Sequence, residues 1–474
     1  MAALDRSAVR FTASALTDLK PTALADFHRW WAERLSAGVF EVTPLAFADL
    51  NGWYFAPGSG NLVHESGKFF EVSGMRVDSG DGRQWSQPII HQPEVGILGV
   101  LVKEIDGVLH CLLQAKMEPG NVSTLQLSPT VQATRSNYTR VHGGAQTRYL
   151  EHFRGPGRGR VLVDVLQSEQ GFWCWHKQNR NMVVEATGDV PLHEDFVWLP
   201  LSQVWQLMRC ENLVNMNTRT VLGCLPLARP PKALVPVEDP FRAALLRSYG
   251  PVGDEAGSEA EAEALHTLTD VVSWLTEMKT RTAWTSRLVP LDEVAGFSRT
   301  ADALADDDEQ NFAIVARGVR AGNREVTRWT QPLLEPRRQG LAVFVAKRVG
   351  GVVHLLVRAR PEPGLLGRVE IGPTVRRPPA FDAVLSSGPE PFHSHVSCAD
   401  PAQVRFDTVM SEEGGRFLHA ETRYQVVEVG DDFPRDVPED YCWLTVQQLT
   451  ELVRHSHYLT VEARSLLACV HSLW

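Results

Sequence analysis

The chain has 474 residues, 43% hydrophobic and 22% charged, the proportions of an ordinary globular protein, which excludes bulk disorder and makes two domains the simplest division. Its 47 Lys and Arg against 57 Asp and Glu leave a net charge of −10, and no basic run offers a stripe for nucleic acid or an anionic membrane. No stretch of about 18 apolar residues could span a bilayer, the opening MAALDRSAVR carries an acid and no apolar signal core, and seven Cys without a C-x-x-C pair suit free thiols in a reducing, cytoplasmic setting.

In chain order, PTALADFHRWWAERL at 21–35 has helical spacing, with Pro and Thr at its start. VGILGVLVKEI and VLHCLLQAKM flank Asp106-Gly107 and predict a β-hairpin closed by a tight turn. VLVDVLQSE at 161–169 and NMVVEA at 181–186 predict further strands, and the segment 200–210 predicts a helix. Residues 227–262 turn proline-rich, then acidic and small, as a linker does, with room for a short helix at 240–248. Beyond it the hairpin recurs as GLAVFVAKRV, Gly350-Gly351, VVHLLVRARP, and 444–455 predicts a last helix.

That recurrence is general. QAKMEPGN at 114–121 matches RARPEPGL at 358–365, WSQP at 85–88 matches WTQP at 329–332, and SPTVQ at 128–132 matches GPTVR at 372–376, all 244 residues apart. SEQG at 168–171 matches SEEG at 411–414. The chain is a tandem duplication. The expected organisation is a first repeat at 1–229, a linker at 230–261 and a second repeat at 262–474. The fold class is α+β, each unit a mixed, mostly antiparallel sheet flanked by helices.

Comparison of the copies separates scaffold from chemistry. The second keeps Glu362, Glu412 and Arg423, but has Arg360 for Lys116, Glu370 for Gln126, Ala420 for Lys177 and Tyr424 for Asn181. Its TVRRPPAFDAV loses nearly every amide and hydroxyl of TVQATRSNYTR. The first copy is therefore expected to hold the working site and the second a degenerate or binding one. A Glu ahead of Pro-Gly is by itself a turn residue, and Lys116 with Glu118 on one strand face is by itself a surface ion pair. Their company of amides and hydroxyls at the ends of apolar strands points instead to a ligand cleft. No paired Cys, H-E-x-x-H, G-x-G-x-x-G or Walker loop is present, which argues against a metal or dinucleotide site.

The strings GNLVHESGKFFEV, LLQAKMEPGN, LQLSPTVQATRSNYTRVH, VLQSEQGFWCWHKQNRNMVVE and LVNMNTRTVL resemble those of the NDP-hexose 2,3-dehydratases of deoxysugar pathways in antibiotic-producing bacteria. The resemblance implies a dTDP-4-keto-6-deoxy-D-glucose substrate, loss of its C2 hydroxyl without an external cofactor, a homodimer, and halves resembling the Nudix hydrolase fold, although the Nudix signature itself is missing. It also implies a downstream 3-ketoreductase. The reaction needs a base for the acidic C3 hydrogen, an acid for the departing hydroxyl and donors for an enolate. Candidates for these roles are Lys116, Glu118, Glu169 and Tyr138. Those for substrate binding are Trp53, His64, Asn121, Gln126, Gln132, Arg135, Asn137, Arg140, Gln167, Lys177, Arg180, Asn181, Thr218 and Arg219, with Trp173 and Trp175 as further stacking surfaces. The alternatives are a Nudix-like nucleotide-sugar hydrolase and a non-catalytic sugar-nucleotide-binding protein.

Overall fold

The computed structural model describes residues 2–134, 147–231, 238–251, 263–322, 326–378 and 390–474. Each half builds one seven-stranded mixed sheet. In the first, the order is Arg160–Ser168, Gln178–Glu185, Gly96–Ile105, Val108–Met117, Phe196–Pro200, with Leu125–Ser128 and Val131–Ala133 completing it. One pairing, Gln178–Glu185 on Gly96–Ile105, is parallel and the others are antiparallel. The second half repeats this with Val404–Ser411, Glu421–Val429, Gly340–Val349, Val352–Pro361 and Tyr441–Thr445. The architecture is α+β.

The hairpin strands run apolar on both sides because both sheet faces are covered. Leu98, Val100 and Val102 enter one core while Ile97 and Leu101 enter another. Asp106 and Gly107 turn the chain at φ 50° and 80°, the left-handed pair that a two-residue hairpin requires. The helix at 21–35 forms as Ala23–Ala37 and the linker helix as Pro240–Arg247. The last two differ at their ends. Leu201–Leu207 is shorter than 200–210, and 444–455 yields only Val446–Leu452, because Leu444 belongs to the strand Tyr441–Thr445 and Thr445 caps the helix through a reciprocal bond with Gln448.

The halves are intertwined. Phe40–Leu45 of the first adds to Phe312–Ala321 of the second, and Thr285–Val289 of the second adds to Glu71–Asp78 of the first. The largest core mixes Val100 and Val183 with Phe344 and Val426. Buried Arg219, on helix Met216–Leu222, donates to Ser411 O at 2.9 Å, and its counterpart Arg464, on helix Val461–His471, donates to Ser168 O. Gly120 N–H reaches Gly414 O and Gly364 N–H reaches Gly171 O, both at 2.7 Å. Each M/P-E-P-G turn is thus clamped to the S-E-x-G loop of the opposite half, an isologous contact. Glycine is obligatory there, since a Cβ on Gly120 would lie 1.7 Å from Phe417 O and one on Gly364 2.2 Å from Cys174 O.

Candidate active site

The clamp places both halves around a cavity of about 430 Å³. Strand Val108–Met117 delivers Lys116 and, one residue past its end, Glu118; Val131–Ala133 delivers Gln132. Glu118 is only 4% exposed. Its Oε1 accepts from Gln132 Nε2 at 2.9 Å and lies 3.8 Å from Lys116 Nζ. Its Oε2 is buried without a hydrogen-bond partner among the described residues. A buried carboxylate oxygen left unpaired is costly, and the residue that carries it is one of those lining the cavity.

The loop of the first half that follows Arg160–Ser168 brings Glu169 and Lys177 to the same space. Asn179 Nδ2 donates to Glu169 Oε1 at 2.6 Å, and Lys177 donates to Glu94 O. Burial pushes the Glu169 carboxyl up, against Arg464, the Asn179 bond and Lys177. Burial likewise pushes the Lys177 ammonium down, against the pull of Glu169. Each partner softens the other's penalty without cancelling it.

The remaining wall comes from the second half: Trp329, Thr330 and Gln331 of strand Arg328–Pro336, and Glu413, Gly415 and Arg416. Gln331 Nε2 donates to Gly415 O at 2.9 Å and accepts at Oε1 from Trp329 Nε1 at 2.8 Å, which ties the strand to the loop. Trp53 Nε1 crosses back to Thr330 O at 3.1 Å, and its ring meets His64 edge-on at 5.3 Å. Arg416 lies 4.3 Å over the Phe70 ring and donates to Gln92 Oε1 at 3.1 Å. Burial raises the Glu413 carboxyl to about 7, Glu118 and Glu169 adding to the rise and Arg416 opposing it.

Of the residues singled out in the sequence, Trp53, His64, Lys116, Glu118, Gln132, Glu169 and Lys177 line this cavity. The others that are described do not. Asn121 braces its own turn by donating to Thr124 O, and Gln126 donates to Ser411 of the opposite half. Gln167 donates to Val453 O, and Asn181 lies 3.5 Å from Thr220 Oγ1. Thr218 donates to Leu127 O at 2.9 Å, and Arg219 spans Val214 O and Ser411 O. Arg180 pairs with Asp164 across neighbouring strands, as Arg423 does with Asp407. Trp173 packs on Phe417 and Trp175 on His176. Arg135, Asn137, Tyr138 and Arg140 lie outside the described residues. Sequence reasoning missed Glu413, Trp329, Arg416 and Gln92. A signal existed for the first, because SEEG carries Glu413 where SEQG carries Gln170.

The corresponding place in the second half is closed on itself. Arg376, the counterpart of Gln132, donates to Glu362 at 2.7 Å and to Glu462, the counterpart of Asn217. Glu362 also accepts from Gly171 N–H at 2.8 Å, and Arg360, in the place of Lys116, is held by Glu390. The first half thus presents amides around Glu118 where the second presents an ion cluster of Arg376 with Glu362 and Glu462.

Carboxyls, an ammonium and aromatic faces around one cavity equip it for proton transfer on a polar ligand, and Arg416 and Lys177 add charge suited to an anion. Among the described residues, no group of three or more His, Cys, Asp or Glu side chains is arranged to hold a metal ion, and no helix is long and apolar enough to cross a membrane.

A family model described as NDP-hexose 2,3-dehydratase matches residues 24–225 and 268–470, one match per half. The chain is 49% identical to the dTDP-4-dehydro-6-deoxy-alpha-D-glucopyranose 2,3-dehydratase of Saccharopolyspora spinosa, over 98% of the chain and 95% of that protein. It is 47% identical to the enzyme of the same name from Streptomyces violaceoruber, over 96% of the chain and 98% of that protein. For the one from Amycolatopsis orientalis the identity is 43%, over 97% and 92%.

Proposed function

The chain belongs to the NDP-hexose 2,3-dehydratase family, and we propose that it removes the C2 hydroxyl of dTDP-4-keto-6-deoxy-D-glucose in the cavity its two halves share. The C4 ketone acidifies the C3 hydrogen. A base takes that proton and an enolate forms at the C4 oxygen. The electron pair then returns, the C2–O bond breaks, and the resulting enol tautomerises to the 2,6-dideoxy-3,4-diketo sugar.

The observation that carries this reading is the buried Glu118 carboxyl among the residues lining the cavity, held by Gln132 beside the Lys116 ammonium. Glu118 is the base: Gln132 and Lys116 fix one oxygen and leave the other for a carbon-bound proton. The Lys116 ammonium, beside it, is the donor for the enolate oxygen. Glu169 and Lys177 line the same cavity, and Trp53 and Trp329 are flat faces for the thymine ring. Positive charge for the diphosphate comes from Arg416 and Lys177. No hydride moves and the charge is met by protein donors, so neither a nicotinamide nor a metal ion is required.

We further propose that the halves at 1–229 and 262–474, joined by 230–261, are Nudix-like units of which the first carries the chemistry. The active form is a cytoplasmic homodimer that passes its product to a 3-ketoreductase. Incubation of the protein with dTDP-4-keto-6-deoxyglucose, a 3-ketoreductase and NADPH tests the reaction. A 2,6-dideoxy sugar formed equally well in EDTA is expected. Release of a nucleoside monophosphate dependent on a divalent ion would replace this reading with hydrolysis, and binding without turnover would replace it with a carrier role.

A further inference from the structure

The fold makes one contribution that the duplication alone does not suggest. Glu413 comes from the half whose own pocket is closed, yet it lines the cavity of the other half. Its counterpart in the first half is Gln170, an amide that donates to Glu412 at 2.9 Å. At this place in the duplicated loop the second copy carries an acid where the first carries an amide, and both side chains line the one cavity. Gly415 sits between Glu413 and Glu118. A Cβ at that glycine would stand 2.8 Å from Glu413 Oε1 and 3.5 Å from Glu118 Oε1, so both carboxyls flank the space that the missing side chain leaves open. The loop is fixed by backbone bonds, Gly120 N–H to Gly414 O and Arg416 N–H to Glu413 O at 3.2 Å, which leaves the carboxyl to the cavity.

We propose that Glu413 is the general acid of the elimination, protonating the C2 hydroxyl as it leaves, so that the active site is completed by the second half. This rests on the dehydratase reading and on Glu118 as the base. Burial and the neighbouring Glu118 and Glu169 carboxyls favour the protonated form of Glu413, against Arg416 and Lys177. Glu413, with a carboxyl near 7, is suited to be the protonated member at neutral pH. The protons balance over the cycle. Glu118 takes the C3 proton and Glu413 gives its own to the hydroxyl, releasing water. In the ketonisation Glu118 returns a proton to C2, while the Glu413 carboxylate takes the one on the C3 enol oxygen. Both groups end as they began and nothing is oxidised or reduced.

The test is Glu413→Gln in the full chain, supplied with dTDP-4-keto-6-deoxyglucose in D2O. Water loss should fall by roughly 10²–10⁴, while exchange of the C3 hydrogen with solvent continues and dTDP binding, read by calorimetry, is retained. Glu118→Gln should lose exchange and elimination together. Wild-type turnover should decline above about pH 7, and the residual turnover of Glu413→Gln should not. If Glu413→Gln eliminates water within tenfold of wild type, or loses C3 exchange along with elimination, the acid role is overturned. If the variant fails to bind dTDP, Glu413→Asp decides: recovered elimination supports the role, and a binding-competent but inactive Asp variant overturns it. A wild-type protein that does not dehydrate the sugar would instead remove the reading beneath the proposal.

Discussion

Replacing Gln132 by Arg would write the second half's arrangement into the first. Gln132 holds Glu118 Oε1 with a neutral amide at 2.9 Å, whereas Arg376 holds Glu362 Oε1 with a guanidinium at 2.7 Å. In the second half the cation is shared with Glu462, but Asn217 stands at that place in the first. An introduced guanidinium would therefore direct its whole charge to Glu118, already 3.8 Å from Lys116. An opposite charge at this range favours the ionised carboxylate by about 1.4–4 kcal/mol, which weakens it as a base. To the extent that proton abstraction limits turnover, kcat should fall about 10- to 10³-fold. The new side chain would also take up part of the cavity and weaken substrate binding. The reductase-coupled assay reads kcat and KM, and thermal unfolding checks that the fold survives. A Gln132→Arg enzyme with kcat within about threefold of wild type would refute the assignment of Glu118 as the base that this amide orients.

Arg376→Gln should leave kcat per folded molecule unchanged but cost about 3–5 kcal/mol in denaturant unfolding, because Glu362 and Glu462 lose the cation that compensates them. Arg219→Met removes two buried bonds from a charged donor, to Val214 O and Ser411 O. It should cost about 3–6 kcal/mol at roughly 1.5–3 each and slow turnover, since Ser411 opens the loop that carries Glu413. Gly120→Ala drives a methyl into Phe417 O and should reduce both the melting temperature and kcat through the same loop. Glu362 and Glu413 have carboxyls near 7 against an ordinary 4.5, so the native chain binds these protons more tightly than the unfolded one. That share of stability is full below about 4.5 and lost as pH rises through 7. Denaturant midpoints at several pH values should show this decline, and the double variant Glu362→Gln/Glu413→Gln should flatten it.

The hairpins and the duplication were legible because both are local or periodic: Asp106-Gly107 and Gly350-Gly351 announce their turns, and one offset recurs across the chain. The exchange of Phe40–Leu45 and Thr285–Val289 between halves was not, since strand pairing across more than 200 residues leaves no mark on either strand. For the same reason the rule that chemistry lies in polar residues unique to one copy worked in one direction only. Lys116, Gln132 and Lys177, which differ between the copies, do line the cavity, but Glu118 is shared with the second copy as Glu362 and Glu413 lies in the copy that was set aside. Asn121, Gln126, Gln167 and Arg219 were drawn into the candidate set by their polarity. They are polar because buried polar groups around them need bonds, and their partners in the opposite half or in the following turn are invisible in sequence. Arg180 followed from a basic, amide-rich string, yet its cross-strand neighbour Asp164 takes its charge.

The central claim is that a sugar-nucleotide 2,3-dehydration takes place in one cavity, with Glu118 as its base and the matching Glu362 a structural ion-pair partner. Turnover of dTDP-4-keto-6-deoxyglucose, coupled to the 3-ketoreductase and normalised to folded protein, should be compared for Glu118→Gln and Glu362→Gln. The account predicts a loss of roughly 10²–10⁴ for the first, with dTDP still bound, and wild-type turnover for the second. An inactive Glu362→Gln beside an active Glu118→Gln would move the chemistry to the other half and contradict it.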